Sequence, residues 1–195
     1  MFSALLDTCV LWPSLQRDFL LSLAVEGMYR PVWSAAILEE LEHHEAKKLV
    51  RRGEQKDKAA VRARFLIDRM RSAFNDAEVH GWESLEGTYG LPDVDDEHVL
   101  AAAVVAGAGA IVTHNVKDFP RSKVPDGIGV ILPADFAAST VELEPVRAFD
   151  AVVAIAERSG RVGPRVTADD VLDALVERYE MTYAVYLIRQ ALCAD

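Results

Sequence analysis

Phe2 to Leu6 is a short apolar run that ends at Asp7, the pattern of a buried strand with an acid at its C-terminal end. Pro13 permits a helix start, and Leu15, Phe19, Leu20, Leu23 and Ala24 then recur at helical spacing. Pro31-Val32-Trp33 is a second short run. Ser34 follows it as an N-cap candidate for a helix through Leu41 and beyond. Lys56 to Phe74 contains no Gly or Pro and carries Ala60, Val61, Phe65, Ile67 and Met70, which predicts a third helix. Leu91 to Asp96 reads as a helix entrance, with acids where the helix dipole favours negative charge, and the helix runs through Val99 to Ala106 and stops at Gly107. Ala110 to Thr113 and Gly129 to Leu132 are two further buried strands, separated by a loop from His114. Strands alternating with helices imply an α/β fold, a central parallel sheet covered by helices on both faces. Strand signals end at Pro133. Val146–Arg158, Ala168–Arg178 and Tyr183–Leu192 are three amphipathic segments, with a break at Gly160–Pro164 between the first two. The expected organisation is therefore a three-layer α/β/α domain over residues 1–133 and a helical extension over 134–195.

Composition narrows the class. A chain of 195 residues that is 51% hydrophobic and 27% charged has enough apolar side chain for a real core. Cys9 and Cys193 stand at opposite ends, without metal-ligand spacing, so neither a disulfide framework nor a zinc ribbon is indicated. Asp7 interrupts the first apolar run and no basic stretch precedes it, so no signal peptide is visible. The longest stretch free of charge and histidine, Val99 to Thr113, is 15 residues and contains two glycines, too short to span a bilayer. These features point to a cytoplasmic, soluble protein with no membrane partner. The formal charge of −10 is unevenly spread: Lys47 to Arg71 holds ten Lys/Arg against three Asp/Glu. A stripe of this kind attracts a phosphate backbone even on an acidic protein, although a solvated helix face has the same composition.

The acids carry the chemistry. In open α/β sheets the ligand site lies beyond the carboxyl ends of the strands. Asp7 ends the first strand, Asp96 opens the alanine-rich helix, Asp118 follows the strand Ala110 to Thr113, and Glu40 lies on the second helix. A cap explains Asp96 alone, a turn Asp118, and a solvated face Glu40. Asp7 is different, because a charge at the end of an apolar strand needs a partner. Carboxylates that meet in a pocket repel one another unless a cation neutralises them, and oxygen-only ligands suit Mg²⁺ or Mn²⁺ rather than zinc.

Four motifs carry a resemblance. Leu5-Leu6-Asp7-Thr8-Cys9-Val10-Leu11 resembles the first-strand motif of PIN-domain nucleases, and Ile37-Leu38-Glu39-Glu40-Leu41 their second-helix motif. Asp93-Val94-Asp95-Asp96-Glu97-His98-Val99-Leu100-Ala101 resembles the third, and Ile111-Val112-Thr113-His114-Asn115-Val116-Lys117-Asp118-Phe119 the fourth. The motifs fall in order over residues 2 to 133, and the helical tail is similar to extensions on longer VapC-type toxins. The resemblance implies an acidic tetrad of Asp7, Glu40, Asp96 and Asp118 that holds one or two Mg²⁺ or Mn²⁺ ions and hydrolyses RNA. It further implies the toxin role of a type II toxin–antitoxin system, a cognate antitoxin partner and a homodimer. Glu40 is chosen over Glu39 by motif register, and Asp93 and Asp95 are reserves. Cys9 departs from the family's usual Asn, and Asn115 stands where many relatives carry Asp. Thr8 and Thr113 are expected to hydrogen-bond carboxylates or backbone, and the basic helix with Lys117, Arg121 and Lys123 to bind flanking phosphates.

Other features have competing explanations. Glu39 and His43 lie at i, i+4, followed by His44, but without further Cys or His they read as a partly exposed helix face. His114 is near the expected site. Gly107-Ala108-Gly109-Ala110 leads into a strand instead of opening a helix after one, which excludes a dinucleotide fingerprint, and no Walker A sequence occurs. Trp12, Trp33 and Trp82 are candidates for stacking on bases, although core packing is the commoner fate of tryptophan. A receiver-like module needs an acid pair after the first strand, which Asp7-Thr8-Cys9 lacks, and a haloacid-dehalogenase-type phosphatase needs Asp where Cys9 stands. A PIN-like fold without catalysis, serving as a binding scaffold, is the alternative that Cys9 keeps open.

Overall fold

The apolar runs become strands. In the computed structural model, which describes residues 1–160 and 164–193, β1 spans Ser3–Leu6, β2 Arg30–Ser34, β3 Glu78–Val79, β4 Ala110–Val112 and β5 Gly129–Ile131. They form a five-stranded sheet in the order β3-β2-β1-β4-β5. The β1/β4, β2/β3 and β4/β5 pairs are parallel, with Leu6 opposite Val112 and Val112 opposite Ile131. Ala4, Leu5 and Leu6 are all fully buried. Successive strand residues face opposite sides of a sheet, so both faces are covered, as the unbroken apolar run requires. The short β3 has no counterpart in the hydrophobic pattern, because two residues show no periodicity.

The chain packs as two compact units, Met1–Trp12 with Pro31–Ile131, and Pro13–Arg30 with the residues from Leu132 onward. The first contains the sheet, α1 (Thr8–Leu11), α3 (Ala35–Arg51), α4 (Lys56–Ala73) and α5 (Glu97–Val105). Ser34 caps α3 as expected, its Oγ accepting from Ile37 N at 3.2 Å. The α3–α4 hairpin turns through Gly53, whose φ of +93° lies in the left-handed region that favours glycine. On α4 the buried face is Ala59, Ala63, Ile67 and Met70. Val61 and Phe65, expected among its apolar positions, are 70% and 62% exposed and lie on the basic face.

The second unit consists of α2 (Ser14–Val25), α6 (Pro133–Leu143), α7 (Pro145–Arg158), α8 (Ala168–Tyr179) and α9 (Thr182–Leu192). Phe19, Leu20, Leu23, Tyr29, Phe136, Leu175 and Ile188 are buried in it, and Tyr29 meets Phe136 edge-on at 4.8 Å. A capping box between Thr167 and Asp170 starts α8. The expected break at 160–164 falls largely on residues 161–163, which lie outside the described residues. Among the described residues no helix is long and apolar enough to cross a membrane.

Candidate functional site

The end of β1 builds the centre of the site. Asp7 starts α1 through its backbone, its carbonyl accepting from Val10 N and Leu11 N, while its side chain makes no cap. The carboxylate is thereby released for other partners: its Oδ2 accepts from Thr113 Oγ1 at 2.6 Å and from Cys9 Sγ at 3.1 Å. Thr113 Oγ1 in turn accepts from Asn115 N at 3.0 Å, so the ends of β1 and β4 are tied through one fully buried hydroxyl. His114 N donates to Cys9 Sγ at 3.2 Å. Cys9 therefore supplies a weak donor where the family motif has an amide side chain. Burial and the charge of Asp7 push its thiol up to about 12, so it stays protonated.

Asp7, Glu40 and Asp96 line one cleft of about 600 Å³, with Thr8, Cys9, Trp12, His44, Arg51, Asp95, His98 and Asn115. Glu40 is firmly held: Thr8 Oγ1 donates to Oε2 at 2.6 Å, and His98 Nε2 lies 3.2 Å from Oε1. Burial would raise the Glu40 carboxyl, but the His98 and Thr8 hydrogen bonds and the nearby histidine charges hold it below its ordinary value. Burial would lower His98, yet its bond to Glu40 and the charges of Glu40 and Asp7 raise it. Both shifts favour the charged forms of the pair. Glu39 faces elsewhere, its charge reaching Arg64 on α4, and it does not line the cleft.

Asp96 ends a single 3-10 turn, Val94–Asp96, that leads into α5. Asp93 Oδ1 caps that turn by accepting from Asp95 N at 3.0 Å. Burial together with the charges of Asp7, Asp93 and Asp118 pushes the Asp96 carboxyl up to about 6, and its Oδ2 is buried without a hydrogen-bond partner. Asp118 is placed by the 3-10 turn Val116–Asp118 and does not line the cleft, although its charge is felt at Asp96. Three of the four sequence-derived acids thus enter one cavity and the fourth stands near it.

An orphaned carboxylate oxygen among mutually repelling acids fits a hard divalent cation, whose donors are oxygens. Among the described residues no three His, Cys, Asp or Glu side chains are gathered tightly enough to enclose an ion as they stand. The donor set therefore suits such an ion without being closed around one.

Two residues of the neighbourhood escaped the sequence reading. His98 orients Glu40 from 58 positions away, a pairing no local spacing reveals. Glu97 is 1% exposed, and its carboxylate accepts from Tyr89 N at 3.1 Å and Leu91 N at 2.7 Å, fixing the loop before Asp96. The basic stripe is partly neutralised, Arg62 pairing with Glu54, Arg64 with Glu42 and Arg71 with Glu78. Lys117 and Arg121 line a separate, mainly apolar cleft of about 530 Å³.

A parallel sheet with acids collected beyond its strand ends is an α/β domain with its polar cleft where ligand sites of such sheets lie. The PIN-domain model matches residues 3–117, more than half of the chain, and the protein belongs to the PIN-domain family. PIN domains are generally nucleases and typically work with a divalent metal. No curated protein and no solved structure matches the chain.

Proposed function

We propose that this chain is a Mg²⁺- or Mn²⁺-dependent endoribonuclease of VapC type, the toxin component of a type II toxin–antitoxin pair. The observation that carries the nuclease reading is the entry of Asp7, Glu40 and Asp96 into one cleft, with the charge of Asp118 reaching Asp96. Asp7, Asp96 and Asp118 would hold the ion, with Glu40 as a direct or water-mediated ligand. A divalent ion supplies Lewis-acid activation of water and offsets the charge that builds on the phosphate. Thr113 and Cys9 pin Asp7 through Oδ2, which would orient its carboxylate toward the ion. His98 and Thr8 fix the rotamer of Glu40. With water rather than the RNA 2′-oxygen as nucleophile, the products carry a 3′-hydroxyl and a 5′-phosphate. The antitoxin partner and the homodimer rest on the family resemblance.

Labelled total RNA incubated with Mn²⁺ or Mg²⁺ tests the reading, with wild type set against Asp96→Asn. Cleavage that needs the metal and disappears in the variant supports it. A binding scaffold without catalysis is the second reading, favoured by the occupied carboxylate of Glu40 and the unclosed ligand set. Wild type and variant equally inert on folded and single-stranded RNA would make it the better account.

A further inference from the structure

Of the three tryptophans, Trp33 is fully buried and Trp82 is 8% exposed, whereas Trp12 is 38% exposed and lines the acidic cleft. Trp12 is the residue that ends α1, five positions after Asp7, so the turn that places the carboxylate also places the indole. His44 meets its ring edge-on at 6.3 Å, and the Lys48 ammonium, ion-paired with Glu45, lies 5.9 Å from the ring centroid. Glu40, His44 and Arg51 follow one another on α3 at intervals of four and seven and all line the cleft. At 1.5 Å per residue, Arg51 stands about 16 Å along the helix from Glu40. Arg51 is exposed and forms no ion pair with the described residues. The cleft therefore changes character along its length, from carboxylates at one end to an aromatic surface and cations at the other.

We propose that Trp12, backed by His44, is a base-stacking platform and Arg51 a phosphate contact, and that together they hold the RNA strand beside the acids. This rests on the nuclease reading for the acids and adds the residues that hold the substrate next to them. The acids repel a polynucleotide everywhere except at the metal, so the strand needs neutral or cationic footholds beside them. An indole provides one that tolerates any base, because each base presents a π-face. Duplex bases are stacked on one another and cannot reach a side chain inside the cleft, so stacking on Trp12 selects an unpaired base. The two residues do different work: the platform reads whether a base is free, and the guanidinium reads only the backbone.

The test is a titration of the full chain, with Ca²⁺ in place of Mg²⁺ or Mn²⁺ to neutralise the acids while holding off cleavage, with an unstructured twelve-nucleotide RNA, following tryptophan fluorescence and the anisotropy of a label on the RNA. Trp12 is the accessible indole, so wild type is expected to show quenching that accompanies binding, and a duplex of the same sequence to produce none. Trp12→Ala is expected to weaken binding about 5- to 100-fold, the range seen when one stacked base loses its aromatic partner. Trp12→Phe is expected to recover most of that affinity while abolishing the quench. Arg51→Gln, an exposed change that cannot unfold α3, is expected to weaken binding and lower the salt dependence by about one charge. Circular dichroism matching wild type secures the Trp12→Ala comparison. Binding in Trp12→Ala equal to wild type, or duplex bound as tightly as single strand, overturns the platform even if metal-dependent cleavage is intact. Quenched single-strand binding by a chain that never cleaves RNA leaves the platform standing and removes the nuclease reading instead.

Discussion

Replacing Asp96 by Asn should stabilise the protein in the absence of metal. Asp96 is half-buried among Asp7, Asp93 and Asp118, and its carboxyl lies at about 6 against an ordinary 3.8. A raised folded-state value means that the protonated form is favoured on folding. The corresponding stability is complete below the unfolded value and is lost as pH rises from about 3.8 through 6. At pH 7.5 the wild type therefore carries an ionised group that the fold disfavours. At 1.36 kcal/mol for each factor of ten, the full difference corresponds to about 3 kcal/mol. Solvent screening at a half-buried site discounts this to about 1 kcal/mol. In EDTA at pH 7.5, Asp96→Asn should thus exceed wild type by about 1 kcal/mol in urea denaturation, or roughly 2–4 °C in Tm. The gap should shrink as pH falls below 6. Adding Mn²⁺ should reverse the order, because a ligand present at a hundred times its Kd stabilises a competent site by about 2.7 kcal/mol. A variant less stable than wild type in EDTA, or Mn²⁺ stabilising both equally, would refute the crowded-carboxylate argument.

Three further outcomes are expected. Cys9, held as a thiol by burial and by Asp7, should resist iodoacetamide at pH 8 in the folded protein, whereas exposed Cys193 should react, giving a single adduct by mass spectrometry; two adducts at equal rates would contradict this. Glu97→Gln places an amide among the N–H groups of Tyr89 and Leu91 and should cost about 1–3 kcal/mol in urea denaturation. Thr113→Val keeps the shape but removes the donor to Asp7 Oδ2, so Mn²⁺ affinity measured by calorimetry should fall several-fold, with recovery in Thr113→Ser.

The strands at the centre of the sheet are legible because burial on both faces demands unbroken apolar runs, and Ala4–Leu6 and Ala110–Val112 are such runs. The elements that escaped are those whose cause is not periodic. The helix α6 opens on Pro133, one residue after β5, with no side-chain cap at Leu132, so the sequence marks the end of the strand signals there but not the helix that the proline begins. On α4 the apolar positions Val61 and Phe65 fit a helix but not its buried face, which small Ala59 and Ala63 occupy because α3 packs close. Asp7, Glu40 and Asp96 were visible through their motifs, and their shared cleft follows from parallel strand order. The grip of His98 and Thr8 on Glu40 is tertiary, set by the approach of α5 and α1 to α3, and leaves no trace in local sequence. Trp12 was visible as an aromatic residue, and only its exposure separates it from Trp33 and Trp82.

The most direct test of the central claim is cleavage of one defined, end-labelled RNA by wild type, Asp7→Asn, Asp96→Asn and Asp118→Asn, each with Mn²⁺ and with EDTA. The account predicts fragments bearing 5′-phosphates from wild type with Mn²⁺ alone, and at least a hundredfold loss in each variant, as expected where metal ligands are removed. Equal cleavage in EDTA, or fragments ending in 2′,3′-cyclic phosphate, would contradict it.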